Sequence, residues 1–387
     1  MCIYHTKKKY QRKTCGQEFV RILRFFLHFF VRGRAMCYNA RMTQLEKYYA
    51  KFKEDRRLSS RHGIVEFTVS MYFIHKYIEE FVRAGTDSAR EKIGAAVPRD
   101  SGAVPMPGDS LDFQNCAESS GVPDGAGILR DSARVLEASQ VPADFSGSRN
   151  NAGCVASSPD SGVSPARQVR ILDVGAGTGR YSVALAREGH DVTAVELVRH
   201  NLDILLAKHE KVKCWPGDAR DLHFLPAGAF DITLLFGPLY HLHTARDRLM
   251  ALREAKRVTR AGGVILAAYV MNEYSVLTYC FRQGHIAECL ANGTLSADFH
   301  ALTEDGRDLY SYVRLEDINA LDEAAGLARE DIFAPDGAAD YLRRELNALD
   351  EESFQAFIRY QLATCRRPEL LGASSHIVDV LRVRGDR

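Results

Sequence analysis

The stretch Asp173-Val174-Gly175-Ala176-Gly177-Thr178-Gly179 decides how this chain reads. It ends an apolar run, Val169–Val174, that has the character of a buried strand, and it opens a helical pattern, Tyr181–Glu188. Glycines at such a turn let the backbone approach a ligand closely, and the first turn of the helix presents amides with no partner inside the helix. A dinucleotide-binding turn of the form G-x-G-x-x-G needs a small residue at position 180. Arg180 stands there instead, and the third glycine comes one residue early. Asp173, two residues before the first glycine, would repel a diphosphate. A ligand with a sulfonium and an ammonium group and no phosphate fits better, and S-adenosylmethionine is such a ligand. The same two residues speak against a nicotinamide-dependent dehydrogenase.

The segments that follow agree. Asp191-Val192-Thr193-Ala194-Val195-Glu196 reads as a second strand closed by a carboxylate, the place from which an acid reaches ribose hydroxyls in a doubly wound sheet. Gly217-Asp218-Ala219 follows a third strand, where an acid can accept from an exocyclic adenine amine. Phe230 to Phe236 reads as a fourth strand running into Gly237-Pro238-Leu239-Tyr240-His241. Its C-terminal edge is where a ligand should sit in an open parallel sheet. Val264–Val270 and His376–Val383 add two further strands, and Arg246–Thr259 a helix. Alternating strands and helices imply a parallel sheet covered on both faces.

This order of motifs resembles the class I S-adenosylmethionine-dependent methyltransferases. Arg253 to Val270, with its Val258-Thr259-Arg260-Ala261-Gly262-Gly263 turn, is similar to the small-molecule branch that contains quinone-biosynthesis enzymes (methyltransferase type 11). The resemblance covers 42–83 and 169–383. It implies an α/β, Rossmann-like, seven-stranded sheet of order 3-2-1-4-5-7-6 with the seventh strand, His376–Val383, antiparallel. It also implies roles for residues. Asp173, Gly175, Ala176, Gly177, Thr178 and Gly179 would hold the methionine moiety, Glu196 the ribose, Leu197 the adenine face, and Asp218 and Ala219 the adenine edge. Gly237 would line the methyl-transfer crevice. The fourth-strand motif departs from the Asn/Asp-Pro-Pro-Tyr of enzymes that methylate exocyclic amines, which weakens a reading as a nucleobase or glutamine methyltransferase.

The implied activity is methyl transfer to a small-molecule acceptor by in-line displacement. Rate there comes mainly from placing the nucleophile about 3 Å from the methyl carbon. A base is needed only if the acceptor must lose a proton, and Tyr240, His241 and His243 sit where such a group belongs, with Tyr240 and His241 the candidates. Further acceptor-site candidates are Tyr48, Tyr49, Arg57, Arg61, His62 and Glu66 in the helical lead, and the tract from Thr364-Cys365-Arg366-Arg367 to Ser374-Ser375-His376. The run Asn272–Tyr312 is long enough to add a lid. Two alternatives stay open: a protein or RNA methyltransferase, and a non-catalytic module that binds S-adenosylmethionine.

Outside this core the chain changes character. Residues 1–34 hold nine Lys/Arg against one acid, Glu18, so their net charge is +8; with +1 for all 387 residues, the remainder sums to −7. A near-neutral whole gives no strong nucleic-acid signal. Residues 1–41 read as a basic, disordered leader, with Met36 or Met42 as candidate starts. No apolar run is long enough to span a bilayer, and a cytoplasmic location is expected. Residues 42–83 read as an N-terminal helical cap whose stripe is Ile64, Phe67, Met71, Ile74, Ile78 and Phe81, with a break at Arg61-His62-Gly63. Residues 84–168 contain 30 Gly, Pro or Ser and only two aromatics, Phe113 and Phe145, and read as a disordered insertion. Residues 169–387 make up the ligand-binding domain. The nine cysteines show no C-x-x-C pair, so free thiols and no metal site are expected. Oligomeric state is not legible.

Overall fold

The structure is a computed structural model that describes residues 44–49, 59–95, 168–303 and 308–385. The chain divides into two units, residues 1–47 and 48–387. Of the first unit only residues 44–47 are described, and they are helical, within α1 (Gln44–Tyr49). The expectations of a disordered leader over 1–41 and of a disordered insertion beyond Ala95 lie outside the described residues.

The second unit is built on seven strands: β1 Arg170–Val174, β2 Asp191–Glu196, β3 Val212–Pro216, β4 Phe230–Leu235, β5 Thr259–Val270, β6 Ala328–Phe333 and β7 His376–Arg382. Their order is β3-β2-β1-β4-β5-β7-β6. The first five run parallel, and β7 is antiparallel to both β5 and β6. This is the order the resemblance implied. The expected turn Thr259–Gly263 is the start of β5, and β6, which the sequence reading did not single out, is the edge strand opposite β3.

Strand periodicity distributes side chains to two cores. In β5, Val264, Leu266 and Ala268 face one core while Ile265, Ala267 and Tyr269 face the other; in β7, Val378 and Val380 oppose Ile377 and Leu381 in the same way. Helices α2 (Arg61–Ala95), α3 (Arg180–Arg187) and α7 (Glu351–Thr364) cover the first face. Helices α5 (Ala245–Val258) and α6 (Leu315–Ala325) cover the second. Between α3 and the sheet, Leu205 of α4 (Arg199–Ala207) closes a smaller cluster with Val183 and Ala194.

Helix α2 corrects the sequence reading at both ends. Arg61-His62-Gly63 forms its first turn and is not a break, because tertiary contacts hold that turn in place. Arg61 donates to the carbonyls of Leu346 (2.9 Å) and Leu349 (2.7 Å), and its guanidinium lies over the Phe354 ring. At the other end the helix runs on to Ala95, into the segment assigned to the insertion. Residues 84–95 contain Ala, Arg, Glu and Lys and no proline before Pro98, so local propensity permits the extension. The buried stripe is also wider than expected. Val65, Val69, Phe73 and Tyr77 join Met71, Ile74, Ile78 and Phe81, and Ile64 and Phe67 are only half-buried. The Phe73 ring stacks on Phe333 of β6 with centroids 3.8 Å apart, which anchors α2 across the sheet edge.

Among the described residues the run after β5 forms no single long lid helix. It breaks into short helices, Asn272–Ser275 and Ile286–Ala291, with a π-helical turn Val276–Arg282 between them.

Candidate functional site

The glycine turn stands at the C-terminal edge of the sheet, tied to β2. Gly175 and Ala176 donate to the Val195 carbonyl at 2.8 and 3.2 Å, and Gly177 donates to Glu196 Oε2 at 2.7 Å. Gly175 and Gly177 both have positive φ, 75° and 58°. The two differ in surroundings. A Cβ on Gly175 would fall 2.6 Å from Cδ of Pro238, whereas a Cβ on Gly177 would meet nothing within 4 Å. The first glycine is therefore required by the close packing of two loops, and the second leaves open space above the backbone. That space, next to amides and a carboxylate, is what an S-adenosyl ligand needs.

Each expected ligand residue has a definite place. Asp173 lies beneath the turn, 1 % exposed, and accepts from Ser182 Oγ at 2.5 Å. Burial pushes its carboxyl up to about 6, against the opposing pull of the Ser182 hydrogen bonds. It clamps β1 to α3, and its charge reaches the turn as a field and not through contact. Thr178 is buried, and its carbonyl accepts from Lys208 Nζ. Gly179 is the residue preceding α3 and has a left-handed backbone. Arg180 turns away from the turn and places its guanidinium over Phe67 of α2, 4.3 Å from the ring centre.

Glu196 closes β2 and is buried. It accepts from the amides of Gly177 and Val198 (2.8 Å) and from Asn201. Burial is the main influence on its carboxyl and raises it, with those hydrogen bonds opposing. Three of the roughly four acceptor positions of a carboxylate are thus in use. A pair of ribose hydroxyls would have to replace at least one of these donors, which is a tighter site than the sequence reading assumed. Leu197 beside it is half-exposed, free to cover a ring. Asp218 is paired with Arg220 at 2.7 Å, and Arg220 also reaches Asp247 at 3.2 Å. Burial raises the Asp218 carboxyl, yet the Arg220 hydrogen bonds outweigh it and hold the group below the usual range. Ala219 is packed in the second core.

The fourth strand runs into Gly237 and a single turn of 3-10 helix, Pro238–His241. The Tyr240 hydroxyl stands 3.7 Å from the point a Gly237 Cβ would occupy, and the Gly175 carbonyl 3.6 Å from the same point. Tyr240 therefore borders the glycine crevice. His241 has both ring nitrogens engaged: Nδ1 with the Leu309 carbonyl (3.0 Å) and Nε2 with the Tyr49 hydroxyl (2.9 Å). A carbonyl only accepts, so Nδ1 carries the hydrogen and Nε2 receives the tyrosine proton. Burial pushes this imidazole down to about 4. Such a group is neutral at physiological pH and a weak base, which moves His241 from proton acceptor to part of a wall. The wall is aromatic: Tyr310 stacks on His241 with centroids 5.1 Å apart, and Tyr240 lies 4.9 Å from His241.

The two acceptor-side tracts read from the sequence do converge. Tyr49 meets His241, and Glu66 lies with His376 and Asp336 in a group whose donor atoms are within 4.8 Å of one another. Arg61 instead ties α2 to carbonyls, and Arg57 lies outside the described residues. Asp336 and Tyr310 carried no sequence signal; they stand in connections with no motif, and only packing brings them in. Cys365 is buried and its thiol is pushed up to about 12, far from thiolate chemistry. Cys214, Cys280, Cys289 and Cys365 are free thiols. Among the described residues no helix is long and apolar enough to cross a membrane. A separate cavity of about 480 Å³ opens between α5 and α6, lined by residues such as His243, Leu249, Leu302 and Leu321; it shares none with the glycine turn or the aromatic wall.

Residues 172–267, which run from β1 into β5, match the profile of a family described as a methyltransferase domain. The chain is 30% identical over 133 residues to the tRNA U34 carboxymethyltransferase of Shewanella halifaxensis, covering 32% of this chain and 38% of that protein. It is 33% identical over 105 residues to the demethylmenaquinone methyltransferase of Staphylococcus aureus, covering 25% and 42%. The chain thus spans about two fifths of the length of these relatives. A solved S-adenosylmethionine-dependent methyltransferase from Methanosarcina mazei aligns with 12% identity and a TM-score of 0.38, over 56% of this chain and 94% of that one. The matched segment holds the glycine turn, Glu196, Asp218 and Gly237, the residues around which the crevice is built. The segment 172–267 is thus similar to the methyltransferase domain of S-adenosylmethionine-dependent methyltransferases.

Proposed function

We propose that this protein transfers a methyl group from S-adenosylmethionine to a small-molecule acceptor by in-line displacement. The observation that carries the reading is the open space over Gly177, bounded by Glu196 and by the Gly175–Pro238 contact. When bound, the sulfonium supplies a methyl carbon already activated toward a nucleophile. Everything else is the task of this chain. The open space over Gly177 and the neighbouring Glu196 would hold the amino-acid and ribose parts, Leu197 would cover the adenine, and the buried Asp173 would favour positive charge above the turn. The Arg220 partner of Asp218 limits what that carboxylate can accept, so adenine-edge recognition would rest on an atom Arg220 leaves available. The acceptor would stand against the aromatic wall, beside the Tyr240 hydroxyl that borders the crevice. Holding it there, out of water and near the methyl carbon, is the main source of rate.

A wall of ring side chains suits a small acceptor more than a folded polymer. An RNA acceptor is the second reading, favoured by the similarity to a tRNA-modifying enzyme. Calorimetry with S-adenosylhomocysteine and with NAD tests the cofactor. Heat from NAD alone would reverse the assignment. Radiolabelled S-adenosylmethionine offered to a metabolite library and, in parallel, to total tRNA tests the acceptor; label only in tRNA would remove the small-molecule reading.

A further inference from the structure

The cavity of about 480 Å³ between α5 and α6 lies where two helices run side by side. Lys256 Nζ donates to the carbonyls of Ala325 (3.1 Å) and Gly326 (2.9 Å), so the last turn of α5 is fastened to the end of α6. The earlier turns then share one space: Ala245 to Leu249 line it from the start of α5, and Asp317 to Ala324 from α6. Its size is in the range of sites that take small organic molecules.

The lining is divided by chemistry. Leu249, Leu302, Val313, Ala320, Leu321 and Ala324 give it an apolar surface, and Leu302 is about half exposed. The charged residues are in the first turns of the helices: Arg246 and Arg248 in α5, and Asp317 in α6. Asp317 is already engaged. Its Oδ2 accepts from the Arg314 amide at 2.7 Å and lies 3.4 Å from His300 Nε2. Arg248 is buried and is part of the wall, its Nη1 donating to the Leu242 carbonyl (2.8 Å) and to Ser311 Oγ (3.1 Å). Arg246 differs from both. It is exposed and makes no ion pair or hydrogen bond among the described residues. His243, just before α5, lines the same cavity, and its buried Nδ1 has no hydrogen-bond partner among the described residues, a condition folded proteins rarely tolerate.

We propose that this cavity is a second ligand site, separate from the glycine crevice, and that it takes a small organic anion with an apolar body, a medium-chain carboxylate. Two guanidinium groups against one carboxylate favour a single negative charge. A cation would meet net repulsion, and a neutral molecule would leave Arg246 without a counter-charge. An inorganic anion would leave the leucines wet, whereas a hydrocarbon chain removes them from water. The site goes beyond the methyl-transfer reading and does not depend on it. The two are neighbours along the chain: Tyr312 and Val313 line the cavity, and the amide of Ser311 donates to the Tyr240 carbonyl at 2.7 Å.

The test is calorimetry on the full chain with octanoate, and with octanol and octylamine as probes of equal chain length. Octanoate should bind with a Kd of about 1 mM or tighter, and the other two at least tenfold more weakly. Arg246→Gln should weaken octanoate by about fivefold or more. Ala320→Phe, at an exposed helical position on the lining, should fill the cavity and abolish binding while the thermal unfolding midpoint stays near that of the native chain. Saturating S-adenosylhomocysteine should leave octanoate affinity within about twofold. Absence of octanoate heat would overturn the proposal, and so would octanol or octylamine binding as tightly. Octanoate affinity untouched by both substitutions would place the ligand elsewhere. Displacement by S-adenosylhomocysteine in the native chain would mean one site and not two. If Ala320→Phe does not fold, Arg246→Gln and the three-probe comparison still decide.

Discussion

Substituting alanine for Gly177 separates the space a ligand needs from the space the fold needs. At φ 58° an alanine is strained by roughly 1–2 kcal/mol. Reduced freedom in the unfolded chain returns about 0.4–1 kcal/mol. The new Cβ meets no atom within 4 Å, so no clash adds to this. The net cost to stability should be about 1 kcal/mol, a small fall in melting temperature. The methyl would instead stand in the open space over the turn. Cofactor affinity should drop at least tenfold, about 1.4 kcal/mol. Gly175→Ala is the control. Its Cβ would sit 2.6 Å from the Pro238 ring, a rigid neighbour, so this variant should lose stability markedly more than Gly177→Ala. Thermal unfolding reads the fold and calorimetry with S-adenosylhomocysteine reads the site. A folded Gly177→Ala protein that binds as tightly as the native one would refute the placement of the ligand over this residue.

Other outcomes follow from the same geometry. Glu196→Ala should weaken cofactor binding by about 1–3 kcal/mol, because donors lose a buried acceptor; unchanged affinity by calorimetry would remove Glu196 from the site. Asp173 has a folded value near 6 against 3.8 in its ordinary state. A raised carboxylate favours the folded state fully below the ordinary value, and that contribution is lost as pH rises toward 6. Asp173→Asn should therefore flatten the decline in stability of the ligand-free protein between pH 4 and 7, by on the order of 2 kcal/mol. Denaturation curves at several pH values check this, and an unaltered pH profile would contradict it. The His241 ring, with its folded value near 4, should stay neutral from pH 8 down to about 5 in NMR titration. A midpoint near 6.5 would mean that the ring is not buried as placed here, since burial is what lowers it.

The amino-acid sequence alone determined the parts of this protein that are local along the chain. A strand, a glycine turn and a helix are contiguous, so Asp173 to Gly179 could be read as a ligand turn before any packing was known. Glu196 could be read as a candidate for the same reason, one strand away at the end of an apolar run, and the sheet order was implied by the resemblance those motifs carry. What only the tertiary structure decided depends on residues far apart in sequence. Whether Arg61 starts a helix depends on carbonyls at Leu346 and Leu349. Whether His241 can take a proton depends on Tyr49 and Leu309, which occupy its nitrogens and exclude water. His376 acquires a partner only because the connection after β6 folds back over the start of β7. Side-chain protonation and orientation are set by neighbours in space. Periodicity reports which face a residue occupies, but not what stands opposite it.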